Sequence, residues 1–121
     1  MTEKISAKVA HQSDITKSTV DDPAASKAEI QWVIGADDNA PNFYLRRFTV
    51  QKDGYSPKHS HPYEHEVYCL AGNGKILIDD KWHDFEKDYV IFVPPDVIHQ
   101  FKNIGDSELI FLCAIPANAK K

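Results

Sequence analysis

The sequence predicts an all-β protein whose strands close, or nearly close, into a barrel. From residue 30 onward, short apolar, β-branched and aromatic runs alternate with turn-forming spacers at near-regular intervals. None of these spacers is long and periodic enough for a helix. Several runs are apolar at successive positions, which is typical of strands covered on both faces. A barrel or a double-sheet sandwich covers strands in this way, with one set of alternate side chains filling the interior.

Seven strands are predicted, and each is bounded by residues that favour turns. The strand runs are residues 30–34, 43–51, 66–70, 75–78, 89–93, 99–102 and 109–115. Their β-branched and aromatic residues suit a pleated, half-buried surface. The spacers are rich in Asp, Asn, Gly, Pro and Ser, and they are residues 36–41, 53–57, 71–74, 79–81, 94–96 and 103–107.

The beginning of the chain differs from the rest. Residues 1–28 are rich in Ser, Thr, Lys and Asp, and their few apolar residues show no sustained period. We therefore predict a loosely held N-terminal arm over residues 1–28, followed by a single barrel domain over residues 29–121. The chain length of 121 residues agrees with one domain.

Composition and charge argue against several classes of protein. The chain carries 18 acidic and 14 basic residues and scattered lysines, which does not favour nucleic-acid binding. No apolar run approaches the roughly 20 residues that cross a membrane, and the first residues lack the apolar stretch of a secretory signal. Cys69 and Cys113 stand far apart in apolar segments. We expect them to be buried thiols of a cytoplasmic protein, with one disulfide as the alternative.

Four histidines form the pattern that points to chemistry. His59 and His61 are two positions apart, so on a strand their side chains project from the same face. Pro62 limits that strand and turns the chain, which lets His65 begin the next strand beside them. A further strand must close the site, and His99 follows a Pro-Pro-Asp turn that suits this place. The sequence therefore predicts that these imidazoles converge on one point.

Converging imidazoles predict a site for one divalent transition metal per chain. Imidazole nitrogen suits Zn, Cu, Fe, Ni and, with less preference, Mn. Neutral ligands leave the charge of the metal uncompensated, so such a site attracts an enolate or a carboxylate and lowers the pKa of a bound water. The spacing permits this chemistry without selecting a reaction.

These residues and their flanks resemble the cupin superfamily. The positions that resemble the first cupin motif are Gly54, His59, His61 and Gly72, and those that resemble the second are residues 94–99 and Asn103. The closer similarity is to small single-domain bacterial cupins with the pattern HSHP-x-x-HE-x-Y-x-L-x-G, and it covers residues 30–116. The resemblance implies a jelly-roll barrel, or double-stranded β-helix, with a four-histidine site for manganese or another divalent metal. The implied ligands are His59, His61, His65 and His99.

The third ligand is the open point of this resemblance. In the commonest cupin motif a glutamate takes that place, and both His65 and Glu66 stand at a permitted distance after His61. His65 leaves six residues before Gly72, as the motif requires, whereas Glu66 leaves five. Adjacent residues of a strand also face opposite sides. We predict His65 as the ligand and keep Glu66 as the alternative.

The same alternation predicts a substrate pocket beside the metal. Phe101 lies two residues after the last predicted ligand, and Val67 and Cys69 lie two and four residues after the third, so all three are expected to face inward. One arginine, Arg46 or its neighbour Arg47, is a candidate for holding an anion in the interior. The predicted pocket therefore contains Arg46, Val67, Cys69 and Phe101, with Cys69 as a buried thiol and not a ligand.

Three functions are compatible with such a site. The leading hypothesis is a small metal-dependent oxidoreductase, similar to a dioxygenase, that acts on a small organic substrate with an anionic group. The alternatives are a metal-dependent isomerase, lyase or decarboxylase acting on a sugar acid or keto acid, and a barrel that binds a small ligand without turnover. The resemblance also implies a homodimer, with the apolar outer side chains of residues 43–50 as the candidate interface.

Overall fold

The computed structural model describes residues 5–119, which contain a single curled sheet of nine strands. The strands are β1 (Lys17–Thr19), β2 (Ser26–Ile34), β3 (Phe43–Tyr55), β4 (His65–Ala71), β5 (Asn73–Ile78), β6 (Lys81–Glu86), β7 (Val90–Val93), β8 (His99–Asn103) and β9 (Leu109–Pro116). Single 3-10 turns occupy Gln12–Asp14, Ala36–Asp38 and Ala117–Ala119. The ends of the predicted arm and of the predicted barrel domain, residues 1–4 and 120–121, lie outside the described residues. Within residues 5–119 no helix is long and apolar enough to span a membrane.

The sheet is antiparallel and curls into a barrel. Its strands follow the order β6-β5-β8-β3-β9-β4-β7, and β2 pairs with β3 and carries β1 on its far side. β3 links the two parts of the sheet, since residues 43–50 pair with β9 while Tyr55 pairs with Lys102 of β8. The all-β barrel predicted from the sequence is confirmed.

Alternate side chains fill the interior of the barrel. Buried and half-buried residues alternate along the whole of β9, and β8 shows the same period. Phe101 of β8 stacks on Phe111 of β9 with ring centroids 4.6 Å apart, and it meets Phe85 of β6 edge to face at 6.2 Å. These aromatic contacts join separate parts of the curled sheet into one core.

The outer face of the sheet is less covered than the sequence suggests. Phe43, Val90 and Phe92 are all more than half exposed. Apolar side chains at successive positions therefore do not mean that one chain covers both faces of these strands. Their outward side chains form an apolar surface instead.

The sequence pattern does not predict two of the strands, β1 and β6. β6 has one buried residue, Phe85, among exposed neighbours, so its hydrophobic signal is weak. It forms because Asp79 adopts a left-handed backbone with a φ of 58° and the chain reverses, which places Lys81 opposite Ile78 of β5. β1 is exposed along its length and is held by its pairing with β2.

The N-terminal arm is attached to the barrel through Gln31 of β2. This side chain is 2% exposed, and its amide nitrogen donates to the backbone oxygens of Gln12 and Ile15. Ile15 also lines a groove with the outer side chains of Leu45 and Leu112. Residue 28, the predicted boundary between the arm and the barrel domain, lies inside β2. The division at that residue therefore stays a prediction.

The turn between β4 and β5 depends on Gly72. Its φ is +90°, and a Cβ atom at this position would lie 2.8 Å from the Cα atom of Leu109. Another residue would combine an unfavourable backbone conformation with a clash against the backbone of β9. This requirement is the physical reason for the glycine that follows the histidine motif.

Candidate metal centre

Four histidine rings meet in one cluster. His65 begins β4 and His99 begins β8, whereas His59 and His61 lie in the connection between β3 and β4. The centroids of neighbouring rings are 4.6–5.1 Å apart. The fold therefore brings together the four histidines that the spacing selects.

Backbone hydrogen bonds place the two histidine segments side by side. The N–H of His59 donates to the carbonyl of His99 at 3.2 Å, and the N–H of His99 donates back to the carbonyl of His59 at 2.9 Å. The N–H of Asp96 donates to the carbonyl of His61 at 2.8 Å. Through these bonds the turn before β8 holds its histidine against the first pair, although the two segments are distant in the sequence.

Three of the histidines form the group best placed to hold a metal ion. Ligand nitrogens of His59, His61 and His99 all lie within 4.8 Å of one another. Nδ1 of His61 lies 2.9 Å from the carbonyl oxygen of Tyr63, and Nδ1 of His99 lies 2.9 Å from that of Val97. A carbonyl oxygen only accepts, so each Nδ1 carries the hydrogen and each Nε2 offers a lone pair.

The donor set fits a divalent transition metal. Nε2 of His99 is buried and has no hydrogen-bond partner, which is unfavourable for a polar atom unless something binds it. A metal ion would satisfy this lone pair. Imidazole donors with their Nδ1–H groups held by carbonyl oxygens are the usual arrangement of histidine ligands to Zn, Cu, Fe or Ni.

His65 lies beside this group without being one of its three members. Its Nε2 is 2.8 Å from Nε2 of His61, and its Nδ1 faces the side chains of Arg46 and Cys113. The expected four-histidine site is therefore not confirmed, because the structure shows three histidines within mutual reach and a fourth in contact with one of them. A metal shared by all four would replace the hydrogen bond between His61 and His65.

Glu66, the alternative ligand, faces away from the cluster. It is exposed, and the residues on either side of it in β4 are buried. Because adjacent strand residues point to opposite faces, the inward direction of His65 sends Glu66 outward.

Burial keeps the cluster uncharged. It lowers the pKa of His59, His61 and His99 below the usual value of 6.5. For His65 the effect of burial is larger, and the positive charge of Arg46 adds to it, so its pKa falls to about 2. Neutral imidazole is the form that binds metals, so the cluster is ready for a cation at neutral pH.

A cavity of about 240 Å³ adjoins the histidines. Its wall includes His59, His65 and His99, and its apolar side is formed by Phe48, Val50, Phe101 and Phe111. Val20, Asp21 and Asp22, which follow β1 in the arm, also line the cavity. Of the predicted pocket residues, Arg46 and Phe101 line this cavity. Val67 and Cys69 are buried in the core but lie outside its lining.

Arg46 brings a buried positive charge to the cavity. Only 8% of its surface is exposed, and its guanidinium lies between the rings of Trp32 and Phe48, 5.6 and 4.9 Å from their centroids. No carboxylate of residues 5–119 forms an ion pair with it, and its Nε has no hydrogen-bond partner. Its neighbour Arg47 instead donates to the Gln31 side chain beneath the arm.

Cys113 is one of the site residues that sequence reasoning missed, together with Phe48 and Phe111 of the cavity wall. Its Sγ lies 3.0 Å from Nδ1 of His65 and 3.0 Å from Nη2 of Arg46. Cys69, which shares a strand with His65, bonds instead to backbone oxygens of Ala71 and Ile110. The pairing of β9 with β3 identifies Cys113 as part of the site, because it places Cys113 directly opposite Arg46. Burial raises the pKa of the Cys113 thiol, and Arg46 acts in the opposite direction.

The family of the chain follows from a match that contains the whole cluster. Residues 46–115, more than half of the chain, match the family described as Cupin_2, cupin domain. The chain is a cupin. The resemblance noted in the histidine motif is thereby confirmed at the level of the family.

One solved structure resembles this cupin over most of both chains. It is the polyketide cyclase RemF from Streptomyces resistomycificus, with a TM-score of 0.87 and 28% sequence identity. The similarity covers 93% of this chain and 80% of RemF.

Curated relatives match a shorter part of this cupin. A glucose-6-phosphate isomerase of Pyrococcus furiosus is 43% identical over 60 residues, which are 45% of this chain and 32% of that protein. Polyketide synthase CurC of Streptomyces cyaneus is 35% identical over 52 residues, 42% of this chain and 34% of that protein. The chain therefore matches only about a third of the length of these two relatives.

Proposed function

We propose that this cupin is a metal-dependent enzyme that acts on a small organic anion. The observation that carries the proposal is the buried guanidinium of Arg46, which faces the cavity beside the histidines without a carboxylate partner. An unpaired buried charge is costly, and an anionic ligand would neutralise it.

The four histidines would hold the metal. His59, His61 and His99 form the core of the site, and His65 is the proposed fourth ligand. A divalent transition metal bound there would supply Lewis acidity that stabilises negative charge on an enolate or carboxylate oxygen. Mn, Fe, Cu, Ni and Zn all suit this donor set.

The other residues of the cavity would position the substrate. Arg46 presents planar donors that match a carboxylate, so it would fix the anionic end of the molecule. The rings of Phe48, Phe101 and Phe111 would surround the uncharged part and exclude water from it. In such an apolar cavity the attraction between guanidinium and anion is stronger than in water.

The reaction class that fits best is non-oxidative rearrangement or cleavage, namely isomerisation, cyclisation, lyase or decarboxylase chemistry on a keto acid or sugar acid. Its support is the similarity to proteins named as an isomerase and a polyketide cyclase. The oxygen-using reaction that led the hypotheses from sequence is the second candidate, because an all-imidazole set can also hold a redox-active metal. We further propose a cytoplasmic location, as the composition suggests.

Metal analysis and anion binding test this proposal. Protein purified without added metal should carry about one equivalent of a divalent metal. His59→Ala should lose that metal, whereas His83→Ala should keep it, because His83 lies in the exposed strand β6. Failure of the wild-type protein to bind zinc, manganese or iron after reconstitution would contradict a metal enzyme and leave a ligand-binding barrel.

Variants of two neighbouring arginines, Arg46 and Arg47, form a matched pair that tests where the anion binds. Pyruvate is a suitable first probe, followed by other keto acids and by sugar acids, with binding to the zinc-loaded protein measured by calorimetry. Arg46→Met should weaken binding by about tenfold or more, since it removes charge-assisted hydrogen bonds. Arg47→Met, on the outer side of β3, should bind as the wild type does. Equal affinities in the two variants would argue against Arg46 as the anion site.

Turnover of any ligand found is then compared in air and under argon. A requirement for oxygen would favour the second candidate, the oxygen-using reaction.

A further inference from the structure

Nδ1 of His65, Nη2 of Arg46 and Sγ of Cys113 form a closed triangle. All three distances between these atoms are 3.0 Å. All three side chains are buried, and all three line the cavity beside the cluster. On the other side of the His65 ring, Nε2 faces His61 at 2.8 Å.

The ring hydrogen of His65 can occupy either nitrogen, which gives two cases. In the first, it is on Nε2 and is donated to Nε2 of His61, while Nδ1 accepts from Arg46 or from the thiol of Cys113. In the second, Nδ1–H of His65 donates to the sulfur of Cys113, and Arg46 donates to the same sulfur. Only the second arrangement leaves Nε2 with a free lone pair directed at the cluster.

We propose that Cys113 is a positioning residue for the metal site. Its sulfur accepts the Nδ1–H hydrogen bond of His65 and so holds His65 in the tautomer that binds metal through Nε2. This inference rests on the proposed function, in which His65 is the fourth ligand. It extends that proposal to a residue on a different strand that binds no metal itself.

The other histidines support this role by comparison. The Nδ1–H groups of His61 and His99 donate to backbone carbonyls of Tyr63 and Val97. His65 faces a side-chain sulfur at the corresponding nitrogen, with no backbone oxygen bonded to that atom. The acceptor that the backbone supplies for two of the rings is thus supplied by Cys113 for His65.

The presence of Arg46 is the reason that His65 needs the sulfur as a hydrogen-bond acceptor. A guanidinium can donate but not accept, so without an alternative acceptor its N–H would point at Nδ1 of His65 and favour the first arrangement. The sulfur gives both nitrogen donors a common acceptor. Removal of the sulfur should therefore favour the tautomer that cannot bind the metal.

The test uses two buried cysteines as a matched pair. Cys113→Ala removes the acceptor, and Cys69→Ala removes a thiol that is equally buried but bonds only to backbone oxygens. Zinc affinity is measured by competition with a chromophoric chelator. We expect Cys113→Ala to weaken zinc binding by about 10–100-fold, which is typical for loss of a group that orients a ligand, and Cys69→Ala to bind as the wild type does. Cys113→Ser should recover most of the affinity, since a hydroxyl also accepts from Nδ1–H.

A second readout reports the tautomer directly. In the zinc-loaded wild type, nitrogen-15 NMR of the His65 ring should show the hydrogen on Nδ1. A hydrogen on Nε2 of His65, or unchanged zinc affinity in Cys113→Ala, would overturn the inference. His65→Ala is measured in the same series to distinguish failure of the proposed fourth ligand from failure of the role of Cys113. If His65→Ala binds zinc as tightly as the wild type, the fourth ligand of the proposed function is wrong and this inference falls with it. If His65→Ala weakens binding while Cys113→Ala does not, only the role of Cys113 is wrong.

Discussion

The charge of the histidine rings is set by burial and not by a carboxylate. Burial is the largest cause of the lowered pKa of each of the four imidazoles, and the guanidinium of Arg46 lowers that of His65 further. In the unfolded chain these rings return to ordinary values near 6.5. Folding is therefore coupled to pH through the same side chains that would hold the metal.

The metal-free protein should lose stability when the pH falls below about 6.5. Between that value and the lowered pKa values of the folded state, the unfolded chain binds more protons, so acid favours unfolding. We expect the unfolding midpoint of the chelator-treated protein to fall steadily from about pH 7 to about pH 5, measured by calorimetry. His65→Gln should flatten this dependence, whereas His83→Gln in the exposed strand β6 should not. A midpoint that does not change over this interval would contradict the pKa assignment.

At the scale of elements, a buried amide adds to the strand pairing that joins the arm to the sheet. Gln31 of β2 binds two backbone oxygens of the arm through its nitrogen, and its oxygen accepts from Arg47 of β3. The arm also supplies part of the cavity lining through Val20, Asp21 and Asp22. Loss of this attachment should therefore affect both stability and the site.

Gln31→Ala should destabilise the protein by about 1–3 kcal/mol, because it leaves buried polar groups of the arm and of Arg47 without partners. Amide hydrogen exchange in β1 should become faster. Gln51→Ala is the matched control, since that side chain bonds only to the carboxylates of Glu29 and Glu108. If both variants lose the same stability, or exchange in β1 is unchanged, the arm is not held by Gln31.

At the scale of the whole molecule, two of the edge strands of the sheet, β6 and β7, are unlike. β6 carries charged residues, which discourage pairing with another chain. β7 has the sequence Val-Ile-Phe-Val, pairs with β4 alone among the described strands, and exposes Val90 and Phe92. Phe92 lines a shallow groove with Leu45, an outer residue of the interface expected from the sequence.

We predict a homodimer in which the exposed apolar side chains of β7, with Leu45 beside them, meet the same side chains of a second copy. The uncharged edge of β7 is self-complementary, because a strand can pair antiparallel with itself across a two-fold axis. Phe92→Glu should convert the dimer into a monomer in sedimentation experiments. Trp82→Glu, a similar change in β6, should leave the mass unchanged. A monomeric wild type, or a dimer in Phe92→Glu, would show that this face is not the interface.

The sequence alone determined the class of fold and the residues of the histidine cluster. Strand runs and turn residues are local signals, and so is the histidine motif, although His59 and His61 lie in the connection between β3 and β4 and not on the predicted strand. These features require no knowledge of distant contacts, so they could be predicted.

Only the tertiary structure decided which residues surround the cluster. Alternation along β4 correctly turned Cys69 inward, but it could not show that β9 lies beside β3 and brings Cys113 to Arg46. The attachment of the arm through Gln31 depends in the same way on pairing between distant segments. A period within one strand fixes the face of a side chain, whereas its neighbours depend on strand order and register, which arise from the packing of the whole sheet.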